Sequence, residues 1–307
     1  MKKVAIVGAG ISGLYLANEL NKNTEIDYKI FEKKDYLNLN EGYGIQLSVN
    51  SINLLNKIGF KNISASDVYY PTKVNFFQAK NIKKICEIDL KQFNNVNDRY
   101  TTLKRSTLIK FLIGNIPEEK IQFKANIQNI EYNEKIKISW NNKNESFDYI
   151  VIADGVFSKL KSQISNNHLN PIFNGNIALR ANLKQHEKDN ISVYMGSNFH
   201  YVTYPVNQKL EYNFVAIIKK KLTTKEIEDK NILNSETFIK SLKDLISKNS
   251  IINLENLVNL KCFPVFVSTE LPTLKYQNTY LSGDALFAFP PSFAQGASQS
   301  IETANGI

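Results

Sequence analysis

Val4-Ala5-Ile6-Val7-Gly8-Ala9-Gly10-Ile11-Ser12-Gly13 decides the reading of the fold. The first four residues are apolar and mostly β-branched, and they end at a glycine cluster, the pattern of a buried strand. Gly8 to Gly13 fits G-x-G-x-x-G. Leu14, Leu16, Ala17 and Leu20 then recur at helical spacing, and Ile26-Asp27-Tyr28-Lys29-Ile30-Phe31 reads as a second strand with Glu32 at its end. A glycine triplet alone is weak. Set between a strand and a helix, with an acid about 20 residues on, it is a dinucleotide-binding turn. Gly8 permits the tight turn, Gly10 lets backbone approach a pyrophosphate, and Gly13 lets helix and strand pack closely. The phosphates belong on the free N–H groups of the helix start, near Ser12. Glu32 would accept hydrogen bonds from ribose hydroxyls, with Lys33 beside it.

The chain has 307 residues, enough for two interlocked domains and a large core. Its net charge is +9, mostly from lysine. Runs such as Lys219-Lys220-Lys221 are short and lack interleaved aromatics, so they read as a solvated face and no nucleic-acid partner is expected. Cys86 and Cys262 are too few for a disulfide framework or a cysteine metal site, so no metal is expected and a reducing cytoplasm is the natural compartment. No run of about 18 apolar residues occurs, so no membrane span is expected. Met1-Lys2-Lys3 is similar to the start of a signal peptide, but the apolar stretch after it is broken by glycines and runs into Asn18-Glu19.

A polar loop follows from Lys33 to Glu41. Gly42-Tyr43-Gly44-Ile45-Gln46-Leu47 then places two glycines around an aromatic, read equally as a close backbone approach or a simple turn. Asn50 can cap a helix that Gly59 closes. Val74–Phe77 and Ile85–Leu90 read as a strand pair. Thr101 to Leu108 opens a helix with Leu108, Phe111 and Leu112 on one face. Arg105 near its start opposes the helix dipole. A negatively charged partner would explain it, as would a solvated surface position. Ile121–Phe123, Ala125–Tyr132 and Lys135–Trp140 read as a meander, and Tyr149–Ala153 as a buried parallel strand ending at Asp154-Gly155. From about Ser162 the texture is antiparallel: strands at Ile177–Leu183, Ile191–Tyr194, His200–Pro205 and Tyr212–Ile218, and helices at Thr223–Asp229 and Ser235–Ser247. Val265–Val267 returns to the first domain. Tyr280–Asp284 is a last strand and turn, and Ala297–Ala304 a last helix.

Three motifs together resemble the class A FAD-dependent aromatic monooxygenases, the p-hydroxybenzoate and salicylate hydroxylase-like family. They are the glycine turn with Glu32, then Ala153-Asp154-Gly155-Val156-Phe157-Ser158, then Gly283-Asp284-Ala285 with Pro291, Gln295 and Gly296. Arg105, Leu108 and Leu112 match the family's Arg-x-x-Leu-x-x-x-Leu helix. The resemblance implies an α/β fold: a Rossmann-like FAD-binding domain (1–70, 99–161, 264–307) with an interleaved antiparallel-sheet substrate domain (71–98, 162–263), C-terminally short. It implies roles as well. Arg105 would contact the phosphate and ribityl region of FAD, Asp284 the ribityl chain, and Ile127 the adenine. Asp154 would serve both FAD and the nicotinamide cofactor. Gly296 and Ala297 would open a helix aimed at the flavin, and Gln46 would line its other side. NADH or NADPH would visit transiently.

The implied reaction is hydroxylation of a small aromatic or quinone-like substrate by molecular oxygen through a flavin C4a-hydroperoxide, with His200, Tyr204 and Pro291 as the candidate catalytic residues. A homodimer is compatible with it. His200-Tyr201-Val202-Thr203-Tyr204-Pro205 is similar to the His-x-Val-x-Tyr-Pro stretch of salicylate-hydroxylase-like members, and His200 and Tyr204 share a strand face. His200 is read equally as a proton acceptor and as an ordinary sheet residue. Leu286-Phe287 stands where many members have Ala-His, Thr303 where Asp is common and Lys161 where Arg is common. The alternatives are a prenyl-chain reductase of the same fold and an inactive truncated paralogue. The flavin-dependent halogenases are excluded, because their signature needs two tryptophans and Trp140 is alone.

Overall fold

The computed structural model describes residues 1–39, 42–167, 169–183, 189–209 and 211–307. The end of the polar loop, residues 40 and 41, lies outside them. In chain order the elements begin β1 (Lys2–Val7), α1 (Ile11–Leu20), β2 (Ile26–Phe31), β3 (Gly44–Leu47) and α2 (Val49–Lys57). Next come β4 (Val68–Tyr69), β5 (Lys73–Gln78), β6 (Lys84–Asp89), β7 (Thr101–Lys104), α3 (Arg105–Gly114) and β8 (Ile121–Gln122). Then follow β9 (Asn129–Tyr132), β10 (Ile136–Trp140), β11 (Lys143–Phe147), β12 (Tyr149–Ile152), α4 (Lys161–Ile164) and β13 (Ile172–Leu183). The rest are β14 (Ile191–Met195), β15 (Phe199–Pro205), β16 (Tyr212–Lys219), α5 (Thr224–Glu228), α6 (Lys230–Leu233), α7 (Glu236–Ser247), β17 (Leu257–Val267), β18 (Thr279–Leu281) and α8 (Gly296–Asn305).

The first sheet is parallel, in the order β18-β12-β1-β2-β8. Alternation along β1 divides the core. Val4 and Ile6 pack with Leu14, Tyr15, Leu108, Ile301 and Ala304 of the helices. Ala5 and Val7 pack on the other side with Ile138, Trp140 and Phe147 of the meander β9–β10–β11. Two residues apart in sequence thus means one face, as strand geometry demands.

The second sheet runs β17-β13-β16-β15-β14-β5-β6. It is antiparallel except where β5 lies parallel to β14, because β5 follows β4, which pairs with β7 in another sheet, rather than entering through a hairpin with β14. One face packs Tyr201 and Phe214 against Phe238, Leu242 and Ile246 of α7. The opposite face carries Val202 and Tyr204, packed with Leu90, Val74 and Tyr100.

Several boundaries differ from the sequence reading. Thr101–Lys104 is a strand paired with β3, and the helix starts only at Arg105. The β-branched pair Thr101-Thr102 suits that sheet. The meander is shifted on by one strand. Asn141 and Asn142 both take positive φ, which makes them the hairpin turn between β10 and β11, while Ile121–Gln122 joins the parallel sheet beside β2. Ser48, not Asn50, caps α2 by accepting from Ser51 N–H. Val265–Val267 is the end of an eleven-residue strand that pairs along β13.

Candidate active site

Four neighbouring parallel strands, β18, β12, β1 and β2, end side by side. At about 4.8 Å per strand, their ends lie within about 14 Å. The residues that follow them are Ser282-Gly283-Asp284, Ala153-Asp154, Gly8 and Glu32. Motifs distant in sequence therefore meet at the carboxyl edge of an open sheet, where such folds bind ligands.

Gly8 takes φ +108°, and a Cβ there would stand 2.4 Å from the Ala153 carbonyl oxygen. A Cβ on Gly13 would stand 2.0 Å from the Gly8 carbonyl oxygen. These two glycines are steric necessities of the turn. Gly10 differs: a Cβ there would meet only the Ala153 oxygen at 4.0 Å. The space beside it is cavity.

That cavity has a volume of about 430 Å³. Gly8, Gly10, Ser12, Glu32, Lys33, Arg105, Asp154, Asp284, Gly296 and Ala297 all line it. A second cavity of about 630 Å³ shares Gly8, Glu32, Lys33 and Asp154 with the first and adds Ile127. Gly13 packs behind the wall. Three helix starts face the first cavity: Gly10 and Ser12 at α1, Arg105 at α3, and Gly296 and Ala297 at α8. Neither Gly10 nor Gln295, the caps of α1 and α8, places a side chain on the helix amides. With Lys33, Lys34 and Arg105 on the wall, the cavity suits an anion.

The carboxylates suit hydroxyls. Glu32 is buried, and its two oxygens accept from Ala9 N–H at 2.9 Å and Lys34 N–H at 3.0 Å. Asp154 Oδ1 is buried with no hydrogen-bond partner. Burial pushes the Asp154 carboxyl above its ordinary value, opposed by its bond with Ser158 and the charges of Lys33 and Lys161. The Asp284 side chain is open to the cavity, while the protein walls around it push its carboxyl up. Lys161 is 4% exposed, and burial lowers its pKa against the pull of Asp154. An orphaned acceptor in an anion-favouring cleft fits a ligand with both hydroxyls and phosphates, and FAD is such a molecule.

Gln46, His200, Tyr204 and Pro291 are not in the wall of either cavity. Gln46 is buried and accepts from Tyr100 O–H at 2.8 Å. Tyr204 is buried, bonds the same amide and packs against Gly44. Burial raises its phenol pKa well above the ordinary value, while the charge of Arg180 works the other way. Burial likewise pushes Tyr100 up to about 12. His200 is half-buried on the same face, and burial lowers its pKa. Pro291 begins a short turn, Pro291–Phe293, ahead of α8.

The sequence reading missed Arg180. It sits on β13 in the second sheet, lines the first cavity, and lies over the Tyr43 ring at 5.9 Å from its centroid. Its signal was a single charge inside the apolar run Ile177-Ala178-Leu179-Arg180-Ala181. Ser282 was missed too, as the residue just ahead of a motif.

A family model described as FAD binding domain matches residues 1–305. The chain belongs to this FAD-binding family. Within it the chain is a class A FAD-dependent monooxygenase, an oxidoreductase with FAD as cofactor. It is 23% identical over 98% of its length to a salicylate hydroxylase of Pseudomonas putida, the match covering 74% of that protein. A match to an FAD-dependent monooxygenase of Gibberella zeae is 25% identical, covering 53% of this chain and 36% of that one, well under two thirds of the relative's length. Among solved structures, 2,6-dihydroxypyridine-3-hydroxylase from Arthrobacter nicotinovorans superposes with TM-score 0.81 at 14% identity, over 99% of this chain and 82% of that one. Klebsiella pneumoniae HpxO complexed with FAD and uric acid gives TM-score 0.80 at 16% identity, over 99% and 78%. These likenesses place the fold with the flavoprotein hydroxylases. Among the described residues, no helix is long and apolar enough to cross a membrane.

Proposed function

We propose that the protein uses NADH or NADPH and molecular oxygen to hydroxylate a small aromatic or quinone-like molecule. The observation that carries this reading is the cavity bounded on one side by four strand ends and three helix starts, and on the other by Arg180 of the second sheet. Salicylate and uric acid, named with two similar proteins, are both flat anionic rings, the shape and charge that a cleft with Arg180 on its wall would accept.

Bound FAD supplies hydride uptake and oxygen activation, chemistry that no side chain performs. The chain's own residues bind and orient. The amides at the start of α1 would hold the pyrophosphate, Glu32 the adenosine ribose, Ile127 the adenine, and Arg105 and Asp284 the ribityl end. Asp154 Oδ1 would gain the partner it lacks. The positive end of α8 would stabilise negative charge on the reduced ring. On the second sheet, burial keeps His200 neutral at pH 7, the form able to take a proton from a phenolic or amine-bearing ring. Tyr204 and Tyr100 stay protonated, both tied to the Gln46 amide, with Tyr100 O–H donating to it.

The test is anaerobic mixing of the FAD-loaded protein with NADH and with NADPH, alone and with a panel of phenols, anilines and quinone-like rings. Flavin bleaching that one ring accelerates, followed by oxygen uptake and a hydroxylated product, is expected. Bleaching by neither nucleotide with any ring would refute the reading.

A further inference from the structure

Three hydroxyls from distant parts of the chain meet behind the glycine turn. Ser12 Oγ, in the first turn of α1, lies 2.5 Å from Ser282 Oγ. Ser282 Oγ lies 3.3 Å from Thr303 Oγ1. Thr303 Oγ1 accepts from Gly283 N–H at 3.0 Å and donates to the Gln299 carbonyl at 2.7 Å. Ser12 and Ser282 are 5% and 2% exposed, and both reach the wall of the first cavity.

The supply of protons orders these three hydroxyls. Each hydroxyl carries one proton and two acceptor sites. Thr303 commits its proton to Gln299. The Ser12–Ser282 contact uses one of the two serine protons and leaves one over. That proton goes from Ser282 to Thr303 over the long 3.3 Å contact, or from Ser12 into the cavity. An anion at the start of α1 decides the matter, because a charge-assisted bond is about twice as strong as a neutral one.

We infer that Ser282 is a positioning residue for the cofactor: it donates to Ser12 Oγ and so aims the Ser12 O–H at a phosphate of FAD. Thr303 is the alternative acceptor that Ser282 leaves when the anion arrives. Without Ser282, the Ser12 hydroxyl is free to turn back on a neighbouring backbone carbonyl, as serines near helix starts do. The inference rests on the reading that puts the pyrophosphate at the glycine turn.

The experiment is FAD titration of the FAD-free protein, followed by flavin fluorescence, for Ser12→Ala, Ser282→Ala and the double variant. The thermal midpoint of each FAD-free protein is read alongside. Ser12→Ala is expected to weaken FAD about tenfold and Ser282→Ala about threefold. The double variant is expected to be no weaker than Ser12→Ala, because Ser282 acts through Ser12. Full additivity, or a Ser282→Ala variant with unchanged affinity beside a weakened Ser12→Ala, would overturn the inference. Unchanged affinity in Ser12→Ala would instead overturn the phosphate placement, and the inference with it. If Ser282→Ala does not fold, the near-isosteric pair Ser282→Thr and Ser282→Val reads the same question. Threonine should keep the wild-type affinity and valine lose it. Equal affinities for that pair would overturn the inference.

Discussion

The carboxyl edge of the parallel sheet lines the cavity, the inner face of the seven-stranded sheet reaches it through Arg180, and the two are built differently. The edge is made of turns, backbone amides and carboxylates at strand ends. Its residues are restricted by sterics: a Cβ on Gly13 would meet a carbonyl at 2.0 Å. The inner face is made of side chains projecting from strand interiors, and His200, Val202, Tyr204 and Arg180 each keep ordinary extended backbone. A site made of backbone leaves a fixed spacing in sequence. A site made of projecting side chains leaves only alternation, which says that residues share a face and not what that face looks at.

The largest effect is expected at the glycines. Gly13→Ala drives a methyl into backbone and should cost about 3 kcal/mol, seen as a drop of several degrees in the thermal midpoint of the FAD-free protein. An unchanged midpoint would show that the edge is not sterically fixed. On the inner face, His200→Asn should leave FAD binding and folding intact yet lower kcat about 100-fold. His200 carries a pKa below the ordinary value of 6.5 because it is buried. It is therefore neutral above that pH, and activity should fall only as pH drops through the lowered pKa. His200→Asn should remove that acid limb from the kcat/KM profile, and a limb that persists would return His200 to the ordinary sheet residues. Glu32→Gln should weaken FAD about tenfold with little effect on kcat at saturating FAD, measured by titration.

The smallest effect is expected at the crossing between the two regions. Asp98 lies in the segment that leads from β6 to Tyr100 and accepts from Asn53, Asn56 and Asn95. Burial raises its pKa, but the three amides outweigh burial and hold the carboxyl below its ordinary value. A depressed carboxyl adds stability above its unfolded pKa and loses it as pH falls through the folded pKa. Asp98→Asn should thus cost about 1 kcal/mol at pH 7 and much less in strong acid. A cost independent of pH would show that the carboxylate charge is not what the amides hold.

Much of the first sheet was legible. Apolar runs ending in Gly8, Glu32, Asp154 and Gly283 could hardly be anything but strand ends, and their chemistry follows from the turns. Thr101–Lys104 was not legible, because a four-residue strand beside a helix start carries no period of its own and is decided by its partner β3. The β10–β11 hairpin was missed because Asn141-Asn142 stands in a polar run that gives strand and loop the same texture. Arg180 was hidden for a tertiary reason. Only the packing of the second sheet on the first turns a charge in a strand into part of a cofactor wall. The same holds for Ser282, whose partner Ser12 is at the other end of the chain.

Whether the strand-end cavity holds FAD is decided by titration of the FAD-free protein and its Gly10→Val variant with FAD. Gly10 has φ −81° and ψ −176°, a conformation open to any residue, and its missing side chain faces cavity rather than protein. Wild type should bind one FAD per chain. Gly10→Val should keep the thermal midpoint of the FAD-free protein and lose at least about 100-fold in affinity, roughly 2.7 kcal/mol. Equal FAD affinity in the two proteins would place the cofactor outside the strand-end cavity.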